Sequence, residues 1–133
     1  MDDVVADGEP LWRMVAPNYL TRDDGGFRPQ TTAFFSRGDP RVSVFRGIYA
    51  NKEALLRHFP NHSIAELTAA EFRAHWLRVE SSPADDIDEP HADATYRDGL
   101  SDSAQKAIAR KLSRLCSMIH VDEQSVASLP ERQ

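Results

Sequence analysis

One stretch near the end of this sequence dictates what much of the rest must do. Ala104, Ile108, Leu112, Leu115 and Ile119 recur at three- and four-residue spacing, which is the stripe of an amphipathic helix. Ser101 or Ser103 caps its start, and the pattern predicts a helix running to about His120. An apolar stripe of that length has to be covered by another layer of structure. The earlier sequence supplies candidate strands. Arg28-Pro29-Gln30-Thr31-Thr32-Ala33-Phe34-Phe35 and Arg41-Val42-Ser43-Val44-Phe45 read as two neighbouring strands, because β-branched and aromatic residues suit a pleated, half-buried surface. Between them, Arg37-Gly38-Asp39-Pro40 has the length of a hairpin loop. Alternation sets Thr32 and Phe34 against Thr31, Ala33 and Phe35, and Ser43 and Phe45 against Val42 and Val44.

The remaining segments fill in a single domain. Residues 1–10 read as a mobile acidic arm ending at Pro10, and Leu11 to Val15 as a short strand or packed extension. Asp23-Asp24-Gly25-Gly26 is a turn, since glycine accepts positive φ without steric cost. Asn51 caps a short helix from Lys52 to His58, stopped before Pro60. Ser63-Ile64-Ala65-Glu66 and Thr68-Ala69-Ala70-Glu71 both fit the capping-box pattern. The second precedes the better helix, Ala69 to Trp76, and the first also reads as a short strand entering it. Leu77 to Val79 and His91 to Tyr96 read as extended. They flank an acidic, proline-bounded loop over residues 80–90. Residues 121–133 form a polar tail. The expectation is an α+β domain over residues 11–120. A small mixed or antiparallel sheet packs against about three helices, one face lying on the 101–120 helix.

Composition narrows the function classes. A chain of 133 residues fits one domain. Its formal net charge of −5 argues against nucleic-acid binding by the surface as a whole, and leaves room for a local basic patch. Cys116 is the single cysteine, so no internal disulfide forms. That suits a reducing cytoplasm, and its helical neighbours Leu112 and Leu115 favour burial as a small apolar residue. No apolar run approaches the roughly 20 residues a membrane span needs. The acidic start, Met1-Asp2-Asp3, is unlike a secretory signal. A cytoplasmic protein is expected, with no membrane contact.

Candidate chemistry is sparse. Asp86-Ile87-Asp88 begins like a calcium loop, but the glycine of the sharp turn is missing and Pro90 breaks the spacing. The acidic loop therefore reads as solvated. His58 and His62 are four apart with Pro60 between them, so they share no regular helical face for zinc. No metal or cofactor is expected. On the last helix Lys106, Arg110, Lys111 and Arg114 make a basic stripe suited to an acidic partner or a phosphate backbone, or simply to solvent. No aromatic residue alternates with them, which disfavours single-strand stacking. The strand pair brings Arg28, Thr31, Thr32, Ser43 and Arg46, with Arg13 nearby. An arginine fork beside hydroxyls can hold a phosphate or carboxylate. His91, in Glu89-Pro90-His91-Ala92, suits acid–base chemistry near neutral pH.

Leu11-Trp12-Arg13, Arg28-Pro29-Gln30-Thr31-Thr32-Ala33-Phe34, Val42-Ser43-Val44 and Pro90-His91-Ala92 occur in an order that resembles a group of small bacterial proteins of unknown function. That group shares a Leu-Trp-Arg start, an Arg-x-Ser-Ser-x-Ala-Phe-like strand, a Ser-Val strand and a late Pro-x-His-Ala. Here Thr31 and Thr32 replace the serines and keep the hydroxyls. The resemblance spans most of residues 11–95 and implies that Arg13, Arg28, Thr32, Ser43 and His91 belong to one site.

Two functions follow as expectations. The first is a non-enzymatic bacterial partner protein, docking another protein through its charged surfaces within a toxin-control or phage-defence system. The second is a small enzyme acting on a nucleotide or phosphate ester, with His91 as acid or base and the arginines as anion clamps. Geometry separates them: one cleft holding Arg28, Thr32, Ser43 and His91 favours the enzyme, and His91 on the far side of the sheet favours the partner protein.

Overall fold

The apolar segments of the sequence become strands with both faces in use. The computed structural model describes residues 3–23, 26–82 and 89–122. Its strands are β1 (Pro10–Val15), β2 (Leu20–Asp23), β3 (Gly26–Pro29), β4 (Arg41–Arg46), β5 (Ser63–Thr68), β6 (Leu77–Ser81), β7 (His91–Tyr96) and β8 (Ser117–His120). Its helices are α1 (Lys52–His58), α2 (Ala69–Ala74) and α3 (Asp102–Leu115). Six strands form one antiparallel sheet in the order β6-β7-β4-β1-β5-β8, and β2 pairs with β3 as a separate hairpin. The fold is α+β. Among the described residues, no helix is long and apolar enough to cross a membrane.

Period-two alternation divides the core in two. Leu11, Val15, Val42, Val44, Ala92 and Ala94 point to one face, where they meet Phe72 of α2 and Ile108, Ala109 and Leu112 of α3. Met14, Phe45 and Ile64 point to the other, under Leu55 of α1. Asn51 caps α1 as expected, its side chain accepting from Ala54 N at 3.0 Å. The capping box at Thr68 and Glu71 starts α2 directly after β5, so the stretch from Ser63 is strand and the one from Ala69 is helix.

Residues 3–10 differ from the expected mobile arm. Val5 is 2% exposed and belongs to the core. Glu9, 6% exposed, accepts two 2.9 Å hydrogen bonds from the fully buried Arg46. The backbone carbonyls of Glu9 and Asp7 accept from Ala69 N and Ala70 N, at 3.0 and 2.8 Å. These are amides at the start of α2, which have no partner within the helix. An acidic composition suggested solvation, yet one buried cation and two open helical amides give the segment a place to dock.

Two further expectations are corrected. Residues 31–36 are not a strand: Thr31–Ala33 form a 3-10 turn, and a bridge joins Ser36 to Asp39. The last helix stops at Leu115, not near His120, because Ser117–His120 leave it to pair with β5 at the sheet edge. Ile119 thus packs with the α1 cluster, and Leu115 is 44% exposed. Residues 83–88 of the acidic loop, with the Asp86–Asp88 motif, and residues 123–133 of the tail lie outside the described residues.

Leu112 is 0% exposed at the centre of the α3 contact, so Leu112→Ala should cost roughly 2–5 kcal/mol in a urea or thermal melt. A variant that melts like the native protein would mean that α3 is not docked.

The fork of Arg46 holds the Glu9 carboxyl below the ordinary carboxylate range, against the opposing effect of burial. A depressed folded-state pKa gives stability that is complete above the unfolded value, about 4.3, and is lost as pH falls through the folded one. Glu9→Gln should therefore cost roughly 3–5 kcal/mol at neutral pH by stranding Arg46, and should flatten the acid decline of Tm. The double variant Glu9→Leu with Arg46→Met should regain most of the loss. An unchanged acid limb in Glu9→Gln would exclude this pair as a source of acid sensitivity.

Candidate functional site

The end of β3 at Pro29 and the residues that follow it have no partner in the six-stranded sheet, so their buried backbone carbonyls need other donors. Side chains from three elements provide them. Ser113 of α3 donates to Pro29 O, Arg13 Nε of β1 donates to Ala33 O at 2.8 Å, and the buried Tyr96 hydroxyl of β7 donates to Phe34 O at 2.8 Å. With these ties in place, Ala33, Phe34 and Phe35 pack into the core, and Thr31 and Thr32 are left on the outer side of the turn, half-buried and exposed respectively.

Against this turn α3 lays its basic side. An open pocket of about 440 Å³ lies between them. The hairpin contributes Thr21, Arg28 and Pro29, and the turn contributes Gln30, Thr31 and Thr32. Helix α3 closes it with Arg110, Ser113 and Arg114. Thr21 sits directly opposite Arg28 in the hairpin register. Arg110 and Arg114, one helical turn apart, are exposed. Among the described residues the lining holds three arginines, four hydroxyl side chains and no carboxylate. The Ser113 hydroxyl is already given to Pro29 O, and the positive charge of the lining attracts an anion.

The structure divides the residues expected to share a site. Arg28 and Thr32 are in the pocket, joined by Arg110 and Arg114 from the basic stripe. Arg13 is on the same side of the sheet but serves the backbone, donating to Ala33 O and, at 3.0 Å, to Ser43 O. Burial lowers its pKa from the ordinary arginine value, with Tyr19 acting in the opposite direction. The paired register of β1 with β4 covers Leu11–Arg46 and Trp12–Phe45, and Arg13 reaches across where it ends. Ser43 is exposed on the opposite face, across from Asp93. His91 is on that face too, opposite Phe45, its ring 5.3 Å from that phenyl ring and its Nδ1 3.0 Å from Ser82 O. The proposed combination of His91 with Arg28 and Thr32 is therefore not one cleft.

The other charged groups have local roles. The Lys106 ammonium lies 5.6 Å from the centre of the Phe35 ring. Lys111 is exposed and outside the pocket lining. Arg46 is buried against Glu9. Burial pushes the Cys116 thiol up to about 11, with Arg28 pulling it partly back, which suits an unreactive thiol. Among the described residues, no three His, Cys, Asp or Glu side chains converge as a group that could hold a metal ion.

Thr21, Gln30 and Ser113 were missed from sequence. The hairpin gave a usable signal for Thr21: once Asp23 to Gly26 is read as a turn, Thr21 falls opposite Arg28. Ser113 carried none, because its tie to Pro29 joins segments 84 residues apart. No family model matches the chain, and no curated protein or solved structure matches it either.

Tyr96→Phe removes the donor to Phe34 O and should destabilise by about 1–3 kcal/mol, the cost of a buried unsatisfied carbonyl. Equal denaturation midpoints for the two proteins would show that this tie does not hold the turn.

Proposed function

We propose that this protein is a partner-binding accessory protein, and that it docks an acidic feature of another protein on the face formed by α3 and the β2–β3 hairpin. The observation that carries the reading is the merging of two separate polar sets into one pocket. Arg110 and Arg114 of the helical stripe meet Arg28 and the threonines of the hairpin and turn, while His91 is on the other side of the sheet. A phosphate-ester enzyme of the kind expected from sequence would need its acid–base group beside its anion clamp. The net charge of −5 restricts attraction for an acidic partner to this local patch. An accessory role in a bacterial toxin-control or phage-defence system is the setting proposed for it.

A second exposed feature supports a binding role. Trp76 follows α2 with φ +71 and is 60% exposed. That backbone region is strained for a bulky residue, and exposure forgoes the burial that an indole gains. Strained residues gather at functional sites, and tryptophan is among the residues enriched at binding hot spots.

The test is capture from the native host with the native protein and with Arg110→Glu plus Arg114→Glu. Both side chains are exposed, so the double variant should melt like the native protein. A captured partner should be lost with the double variant. With the purified pair, binding should weaken steeply as salt rises from low to physiological ionic strength. Equal recovery by both proteins would return the stripe to a solvated surface and overturn the docking reading.

A further inference from the structure

We infer that the edge strand β6 pairs with the same strand of a second copy of this chain, antiparallel about a two-fold axis through Val79. The two six-stranded sheets then become one continuous sheet. This contact is separate from the docking face on α3 and uses a different surface.

The sheet order gives β6 one neighbour, β7, so one side of its backbone lacks a strand partner among the described residues. Hydrogen bonds at the two ends of the ladder show which groups stand on that side. Trp76 O accepts from Arg97 N at 3.0 Å, and Ser82 N donates to His91 O at 3.0 Å. Alternate residues of an antiparallel strand turn their backbone groups to opposite sides. The groups of Trp76, Arg78, Glu80 and Ser82 therefore face β7, and those of Leu77, Val79 and Ser81 face outward. Arg73 Nη2 donates to Val79 O at 3.2 Å. It does so from α2, on the core side of the sheet, and a carbonyl has a second lone pair for a strand neighbour.

Charge selects both the partner and the register. Arg78 and Glu80 are exposed on the solvent face of β6. Neither makes a hydrogen bond or ion pair among the described residues. Glu80 stands directly opposite Asp93 of β7, and like charges so placed repel. Two antiparallel copies related by a two-fold axis set one residue opposite its own equivalent. Centred on Arg78, the pairing opposes two arginines. Centred on Glu80, it opposes two glutamates. Centred on Val79, it sets Arg78 opposite Glu80 of the second copy and Glu80 opposite Arg78, all on one face. Opposite charges in that position attract. In the same register every outward residue has a partner, Val79 meeting Val79 and Leu77 meeting Ser81. The order Arg-Val-Glu makes the strand complementary to itself, which favours a second copy over an unrelated chain.

This register also accounts for Trp76. It precedes the edge strand with φ +71 and is 60% exposed, and Ser82 of the second copy comes opposite it. Pairing covers an indole that the single copy leaves in water. A strand of five residues is short for a stable interface, so the dimer forms in a concentration-dependent way.

The experiment is sedimentation velocity on the full chain from about 1 μM to about 1 mM. The native protein should pass from one copy to two across that range. Arg78→Glu and Glu80→Arg each set like charges opposite, and each should weaken self-association at least about tenfold. Mixed in equal amounts, these two variants should form a heterodimer, because every cross-strand pair is then opposite in sign. Arg78→Glu with Glu80→Arg in one chain should restore the dimer. Ser81→Pro removes an outward N–H and spares the ladder to β7, and it should weaken the dimer as well. Arg110→Glu plus Arg114→Glu should leave it unchanged. Thermal melts of the variants report on folding. A native protein that stays a single copy throughout overturns the inference. So does a dimer that resists both single reversals, or a mixture of the two that does not associate. A dimer lost with the α3 reversal would place the contact on the docking face and overturn it too.

Discussion

The segment from Pro29 to Phe34 is the constraint on which the rest of the molecule depends. It leaves the β2–β3 pairing at Pro29 and enters the core at Ala33 without a place in the six-stranded sheet, and a buried carbonyl without a donor is costly. Ser113, Arg13 and Tyr96 each satisfy one carbonyl, and they come from α3, β1 and β7. Three long-range hydrogen bonds therefore join the helix, the centre of the sheet and a strand near its edge through one irregular strip. Phe34 and Phe35 enter the core because that strip is held, and α3 has a surface to lie on for the same reason.

A second polar arrangement works at the end of β1. Arg46 is buried without exposure, and such a cation needs both a counter-charge and donor geometry that leaves little unsatisfied. Glu9 provides both through a two-point fork, and the face of Tyr49 lies 4.9 Å from the guanidinium carbon. The same segment lends backbone carbonyls to the first amides of α2. A pair of this kind is worth more as a determinant of chain path than as net stability. It directs the chain into the central strand at one register.

The candidate site is a by-product of how these ties divide the polar residues. Arginines at positions 13 and 46 look alike in sequence to those at 28, 110 and 114. The first two are consumed by the fold, Arg13 on backbone carbonyls and Arg46 on Glu9. Arg110 and Arg114 stay exposed beside an open pocket, which Arg28 also lines. Ser43 and His91 carry the right chemistry for a site and end on the opposite face, because strand alternation places them with Phe45. Function here is read from which polar groups the scaffold leaves at a surface where they can converge.

Local pattern alone determined the short helix from Lys52 and its Asn51 cap, the capping box at Thr68, the strands around Leu11 to Val15 and Val42 to Phe45, and the α+β class. These depend on neighbours within a few residues, where spacing and propensity act directly. The tertiary structure decided the rest. It turned Thr31–Ala33 from an expected strand into a 3-10 turn, in which backbone amides of the turn took the Gln30 and Thr31 carbonyls and the Arg13 side chain took that of Ala33. It ended the last helix at Leu115, because β5 offered Ser117–His120 an open edge that competed with further helical turns. It docked the acidic first segment on Arg46. It also built the pocket from residues distant in sequence, and no periodicity encodes that meeting. Each of these outcomes was settled by hydrogen-bond partners and buried surfaces that exist only after the chain has closed on itself.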